Sequence, residues 1–272
     1  MSALPLLALN QLSSGGGVPL VLLHAYPVDS RMWQAVAAHL PAHVRALAAD
    51  LPGQGFSPLG SIQTSMQETA EAVYRTLKNE GIANAIVVGC SMGGYVALAL
   101  AERHPAFVAG LGLVDTKATA DSADVRAYRL RMAREMEMGP TIAPALAMYA
   151  SLLGETTLKE RRALIPAVEN WVHSQSPRGL AWAMKTMAGR LDRTEMLRHY
   201  HGPVAVVLGA EDKATTVADA QVMVEAAQDV TLEVIPQVGH LSPVEDPAAV
   251  AAVLTGLHRR VLRRSAPKAR PF

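Results

Sequence analysis

A serine framed by glycines, Gly89-Cys90-Ser91-Met92-Gly93, is the group in this chain best placed for nucleophilic chemistry. A serine hydroxyl is weakly nucleophilic by itself. It needs a base to take its proton, a carboxylate to hold that base in one tautomer, and amide donors where negative charge develops on oxygen. His240, in Val238-Gly239-His240-Leu241, is the leading base. Asp212, in Gly209-Ala210-Glu211-Asp212, is the leading acid, and Asp115 is its rival because it too lies between the serine and the histidine. Glu211 is expected to point elsewhere. Cys90 is a second possible nucleophile, but a cysteine elbow would need glycines at 88 and 92, which are Val88 and Met92. Cys90 therefore reads as a small buried hydrophobe.

These groups require elements that bring them to one place. Ala85 to Val88 is a short β-branched run and Tyr95 to Glu102 reads as a helix, so Ser91 falls on a sharp strand-to-helix turn. Its flanks must be small for strand and helix to approach closely. Further strands are expected at Leu4 to Asn10 (an edge), Val18 to Leu23, Val44 to Asp50, Phe107 to Val114, Pro203 to Gly209 and Val230 to Ile235. A Ser/Gly turn is expected at Ser13 to Gly17. Helices are expected at Ser30 to Leu40, Thr64 to Glu80 (with Gly81 as its cap), Val217 to Ala227 and Asp246 to Arg263. Repeated βα units imply a mostly parallel sheet with helices on both faces. His240 and Asp212 then follow strands at the C-terminal edge of that sheet, where open α/β sheets place their sites. Between Thr116 and Tyr200 the alternation stops and helices are separated by Gly/Pro breaks. The expected organisation is a core of residues 1–115 and 201–264, with a helical cap at 116–200 inserted between strands.

Half of the 272 residues are hydrophobic and only 4% are aromatic. Apolar runs fall short of the ~20 residues that span a bilayer, and Met1 to Leu7 has no basic start like that of a signal peptide. With one cysteine and no internal disulfide, a cytoplasmic location is expected. No metal or cofactor is expected. Arg259, Arg260, Arg263, Arg264, Lys268 and Arg270 make the C-terminus basic. They read as a helix end followed by a disordered tail at 265–272, rather than as a nucleic-acid or membrane site.

Together these residues resemble the α/β-hydrolase superfamily over nearly the whole chain. His24-Ala25-Tyr26-Pro27 is similar to the His-Gly-x-Pro oxyanion loop, with Ala25 replacing the usual glycine. The stretch from Asp50 to Ser57 is similar to the Asp-x-x-Gly-x-Gly-x-Ser loop. The resemblance implies Ser91, Asp212 and His240 as the catalytic residues, and the amides of Met92 and Tyr26 as oxyanion donors. It points to the branch of small esterases, 3-oxoadipate enol-lactonase-like proteins and cofactor-free haloperoxidases. An Asn-Ser-Leu-Gly loop common in enol-lactonases is absent here. The expected partner is a small, mainly apolar ester or lactone. Alternatives are a perhydrolase, with peroxide as acceptor, and a non-hydrolytic small-molecule receptor. Pocket candidates are Tyr26, His24, Trp33, Met132, Met136, Met148, Tyr149, Trp171, Trp182 and Met187, although His24 also reads as a loop brace and a Met/Trp stripe also reads as ordinary core. No lysine or arginine can be assigned to the pocket from sequence.

Overall fold

A computed structural model describes residues 4–265. Seven strands form one sheet: β1 (Leu9–Ser14), β2 (Gly16–Leu23), β3 (Val44–Ala49), β4 (Ala85–Cys90), β5 (Val108–Val114), β6 (Val204–Gly209) and β7 (Val230–Ile235). Their spatial order is β1-β3-β2-β4-β5-β6-β7. Only β1 runs antiparallel to its neighbour. The continuous apolar runs become β4, β6 and the inner part of β2, all buried, as expected for parallel strands covered on both faces. β7 is an edge strand with an exposed face.

The helices around the sheet are α1 (Gln34–His39), α2 (Met66–Asn79), α3 (Met92–Arg103), α10 (Val217–Ala226), α11 (Ser242–Glu245) and α12 (Pro247–Ser265). Between β5 and β6 lie α4 (Ala123–Met138), α5 (Ala143–Tyr149), α6 (Glu155–Glu160), α7 (Ile165–His173), α8 (Pro177–Ala188) and α9 (Thr194–His199). α3 packs on β2, β4, β5 and α2, while α12 packs on β5, β6 and α1. Start signals are local. Ser65 accepts from the amides of Gln67 and Glu68 at the head of α2, and Thr216 with Asp219 forms a capping box at α10. Gly81, at φ +71°, follows α2 in the left-handed conformation that ends many helices.

Some boundaries differ from the sequence reading. The edge strand is Leu9–Ser14, not Leu4 to Asn10, because it pairs with β3 as far as Ser14↔Arg45. Gly15 then turns against the His43 backbone, where a Cβ would sit 2.4 Å from His43 C. The helix expected at Ser30 to Leu40 begins as a 3₁₀ turn, Ser30–Trp33, before α1. α11 was not anticipated. His258, on α12, is buried with Nε2 3.2 Å from the Val18 carbonyl oxygen. In the basic C-terminus, Arg260 and Arg264 pair with Asp229. The tail expected at 265–272 lies beyond the described residues except for Ser265, the last residue of α12.

Strand order reverses on the two sides of β2 and β4. That leaves a crevice at their C-terminal ends, the usual site position in open sheets. The loops carrying Tyr26, Ser91, Asp115, Asp212 and His240 all follow C-terminal strand ends.

Candidate functional site

Ser91 stands between β4 and α3 at φ 52°, ψ −113°, a conformation that L-residues rarely adopt. Its amide donates to the Val114 carbonyl (2.9 Å), and its carbonyl accepts from the Thr116 hydroxyl (2.8 Å). The flanking glycines are steric necessities. A Cβ on Gly89 would lie 2.1 Å from Gly93 C, and one on Gly93 would lie 2.2 Å from the Leu23 oxygen. Cys90 is fully buried, its thiol pointing at the His240 carbonyl, and burial pushes its pKa up. The thiolate needed for nucleophilic attack is therefore suppressed.

The Ser91 hydroxyl oxygen lies 2.7 Å from His240 Nε2, and His240 Nδ1 lies 2.7 Å from Asp212 Oδ2. Nδ1–H donating to the carboxylate leaves Nε2 free to accept the serine proton. Asp212 also accepts from the amides of Ala214 (2.7 Å) and Thr215 (3.0 Å) and from the Thr215 hydroxyl. Burial alone would raise its pKa, but His240 and the Thr215 donors bring it below the usual carboxylate value. For His240, burial acts downward, yet the hydrogen bond and charge of Asp212 carry its pKa above 6.5. Glu211 points away and binds the amide and hydroxyl of Thr156.

Two carboxylates support this line without joining it. Asp115, the rival acid, accepts from the Gly209 amide (2.9 Å) and from the amide and hydroxyl of Ser242 (3.0 and 2.6 Å). Burial and the charge of Asp212 push its pKa up to about 7, against the opposing influence of His240. Glu245, on α11, accepts from the amides on both sides of His240, Gly239 at 3.1 Å and Leu241 at 3.2 Å. Its other oxygen binds the Gly154 amide (2.9 Å) and the Thr157 hydroxyl (2.6 Å) from the inserted helices. The His240 amide itself donates to the Leu152 carbonyl (2.8 Å). Sequence reasoning missed Glu245. The available signal was an acidic residue confined to one helical turn between Pro243 and Pro247.

After β2, His24 braces its loop: Nδ1 bonds the Ala25 carbonyl oxygen (2.9 Å), and Nε2 accepts from the Leu51 amide (2.9 Å). The Asp50 carboxylate accepts from the amides of Ser30 and Phe56, both at 2.9 Å. The two motif-bearing loops are thus stitched together. Among the described residues, the amides of Tyr26 and Met92 have no acceptor.

A cavity of about 270 Å³ lies between the strand ends and the inserted helices, and Ser91 and His240 open into it. Of the expected pocket residues, Tyr26, Met148 and Met187 line it. His24 and Trp33 are fully buried away from it. Met132 and Met136 are buried on α4, which packs against α8, so that part of the methionine stripe is core. Tyr149 pairs with Glu169, and Trp171 is half-buried on α7, the helix that packs on α5. Trp182 donates its indole N–H to the Ile62 carbonyl (3.3 Å). Unanticipated lining residues include Tyr95, Lys117, Tyr128 and Arg129. Lys117 was missed because it sits in the irregular segment after Asp115, where no periodicity assigns a direction.

A doubly covered sheet with a strained serine elbow and a histidine–carboxylate pair at its C-terminal edge defines a class. The chain belongs to the alpha/beta hydrolase family, whose sequence profile matches residues 20–253. It is 32% identical over 253 residues to a 2-succinyl-6-hydroxy-2,4-cyclohexadiene-1-carboxylate synthase of Enterobacter sp. (strain 638), covering 88% of this chain and 91% of that one. It is 25% identical over 243 residues to 3-oxoadipate enol-lactonase 2 of Acinetobacter baylyi, covering 89% and 88%. The structure matches a thermophilic esterase from Thermogutta terrifontis, solved with malate bound, at a TM-score of 0.88 and 30% identity, covering 94% and 93%. These relatives support a hydrolase activity. Among the described residues, no helix is long and apolar enough to cross a membrane, and no group of side chains is arranged to hold a metal ion.

Proposed function

We propose that this chain is a carboxylic ester hydrolase that cleaves a small ester or lactone through an acyl-enzyme on Ser91. The observation that carries the reading is the hydrogen-bonded line Asp212–His240–Ser91, with 2.7 Å at each side of the imidazole. The Ser91 oxygen attacks the carbonyl carbon as its proton passes to His240 Nε2. Negative charge gathers on the former carbonyl oxygen, where the amides of Met92 and Tyr26 donate to it. Collapse breaks the C–O bond, and the alcohol leaves with the proton from His240. Water then attacks the acyl-Ser91 carbonyl, giving its proton to the same nitrogen; collapse breaks the bond to the Ser91 oxygen, which takes that proton back from His240, and the acid departs. Asp212 keeps the imidazole in the productive tautomer and stabilises its charged form.

Helices α4, α5 and α8 supply the outer wall of the cavity through Val125, Met148 and Met187. In this reading they act as a lid whose apolar surface receives the acyl or alcohol chain. Esterase and enol-lactonase relatives fit the same reading.

The test is turnover of a panel of p-nitrophenyl esters and small lactones by the wild-type protein and by Ser91→Ala. The expected result is hydrolysis of short esters that Ser91→Ala abolishes. Undiminished turnover in that variant would sink the proposal.

A further inference from the structure

The wall of the Ser91 cavity carries positive charge that the proposed chemistry does not use. Lys117 and Arg129 both line it, while among the described residues no aspartate or glutamate does. Arg129 is partly neutralised. Its Nε donates to Asp121 (2.7 Å), and an Nη bonds Met187 Sδ (3.4 Å). Asp121 is shared, because Arg190 also pairs with it at 2.7 Å. Arg190 in turn lies 4.1 Å over the ring of Tyr95, another wall residue. One carboxylate thus faces two guanidiniums, and Lys117 lines the same cavity.

Lys117 is half-buried and forms no ion pair or hydrogen bond with a described residue. It is not the counter-ion of the reacting groups either. Asp212 is held by His240 and Thr215, and His240 is influenced by Asp212, Asp115 and Glu245. A neutral substrate filling the cavity would strip water from an ammonium group and offer it nothing in return. An anionic substrate would supply the missing partner in a site where the interaction is weakly screened.

We infer that the ester or lactone taken by this site carries a carboxylate, and that Lys117 is the residue that receives it. The inference rests on the proposed acyl transfer at Ser91. A carboxylate monoanion matches the one charge of the Lys117 ammonium, whereas a phosphate dianion would leave a second negative charge unmet, Arg129 already committing its Nε to Asp121.

Two matched pairs of substrates test this. Mono-p-nitrophenyl adipate against p-nitrophenyl heptanoate places the charge on the acyl side. 4-Acetoxybenzoate against its methyl ester places it on the alcohol side. The readout is the charged-to-neutral ratio of kcat/KM for each pair. The expected result is that Lys117→Met lowers this ratio about tenfold or more in one of the pairs, mainly through KM. Lys117→Arg should largely keep it, and Lys78→Met, on the exposed part of α2, should retain the wild-type value. A ratio that Lys117→Met leaves unchanged in both pairs, or that Lys78→Met lowers equally, overturns the inference. Absence of wild-type turnover on charged and neutral esters alike is a different result: it defeats the Ser91 reading, and the inference falls with it.

Discussion

His240 Nδ1 lies 2.7 Å from Asp212 Oδ2, although a second carboxylate, Asp115, follows directly on the neighbouring strand β5. Asp115 instead receives the Gly209 amide and both donors of Ser242. The two acids have separate tasks, one orienting the imidazole and the other tying strand ends together, and their variants should behave differently. Asp212→Asn should reduce kcat by about 10⁴, as expected when the imidazole loses its orienting carboxylate. Asp115→Asn should keep most of the hydrolysis but melt earlier, since an amide NH₂ would face groups that are themselves donors. A cost of about 1–3 kcal/mol is expected from the unmatched bonds, read by thermal melts. Equal loss of activity in the two variants would contradict the assignment.

Asp115 also gives a signed prediction about stability. Its pKa rises from 3.8 to about 7 on folding. An acid raised in this way binds more protons folded than unfolded, so its contribution to stability falls as pH climbs between those two values. Denaturant unfolding across that window should show a downward slope with pH that Asp115→Asn reduces. An unchanged slope in the variant counts against the effect.

The pH dependence of turnover should report His240. Only the neutral imidazole accepts the Ser91 proton, and Asp212 holds the pKa of His240 above 6.5. Plots of kcat/KM should therefore rise with pH through a midpoint above that value. Removing the carboxylate leaves burial to dominate, so Asp212→Asn should move the midpoint of the residual activity downward. An upward shift would contradict the electrostatics.

Glu245 is expected to act through His240 and not on substrate. It holds the amides of Gly239 and Leu241 and, from its other oxygen, Gly154 and Thr157. Glu245→Gln replaces one acceptor by a donor. The expected effect is a fall in kcat of roughly 10- to 100-fold with KM little changed, and faster hydrogen exchange at the Gly239 and Leu241 amides. A pure loss of stability, with kcat intact in the folded fraction, would reduce Glu245 to a structural brace.

Much of this site was legible because its chemistry depends on local sequence. Gly89 and Gly93 mark the elbow, since any side chain there strikes backbone, and an apolar run before Ser91 with an Ala/Leu run after it fixes the strand and helix on either side. Chain order and strand ends likewise pointed to His240 and Asp212. Legibility failed where position depends on distant packing. Met132 and Met148 are the same residue type on inserted helices, yet one is buried on α4, which packs on α8, and the other meets the cavity. Trp33 looked available for a pocket, but lies wholly in the core. Lys117 and Glu245 escaped notice for a related reason: each lies outside a long periodic element, and Glu245 also binds Gly154 and Thr157, far away in sequence.

The central claim is that Ser91 is the nucleophile. The most direct measurement is labelling of the native protein with a fluorophosphonate, followed by peptide mapping of the adduct. The expected result is one adduct per chain, on the peptide containing Ser91, formed in step with loss of esterase activity and absent in Ser91→Ala. Stoichiometric labelling at another residue, or full inactivation with Ser91 unmodified, would contradict the account.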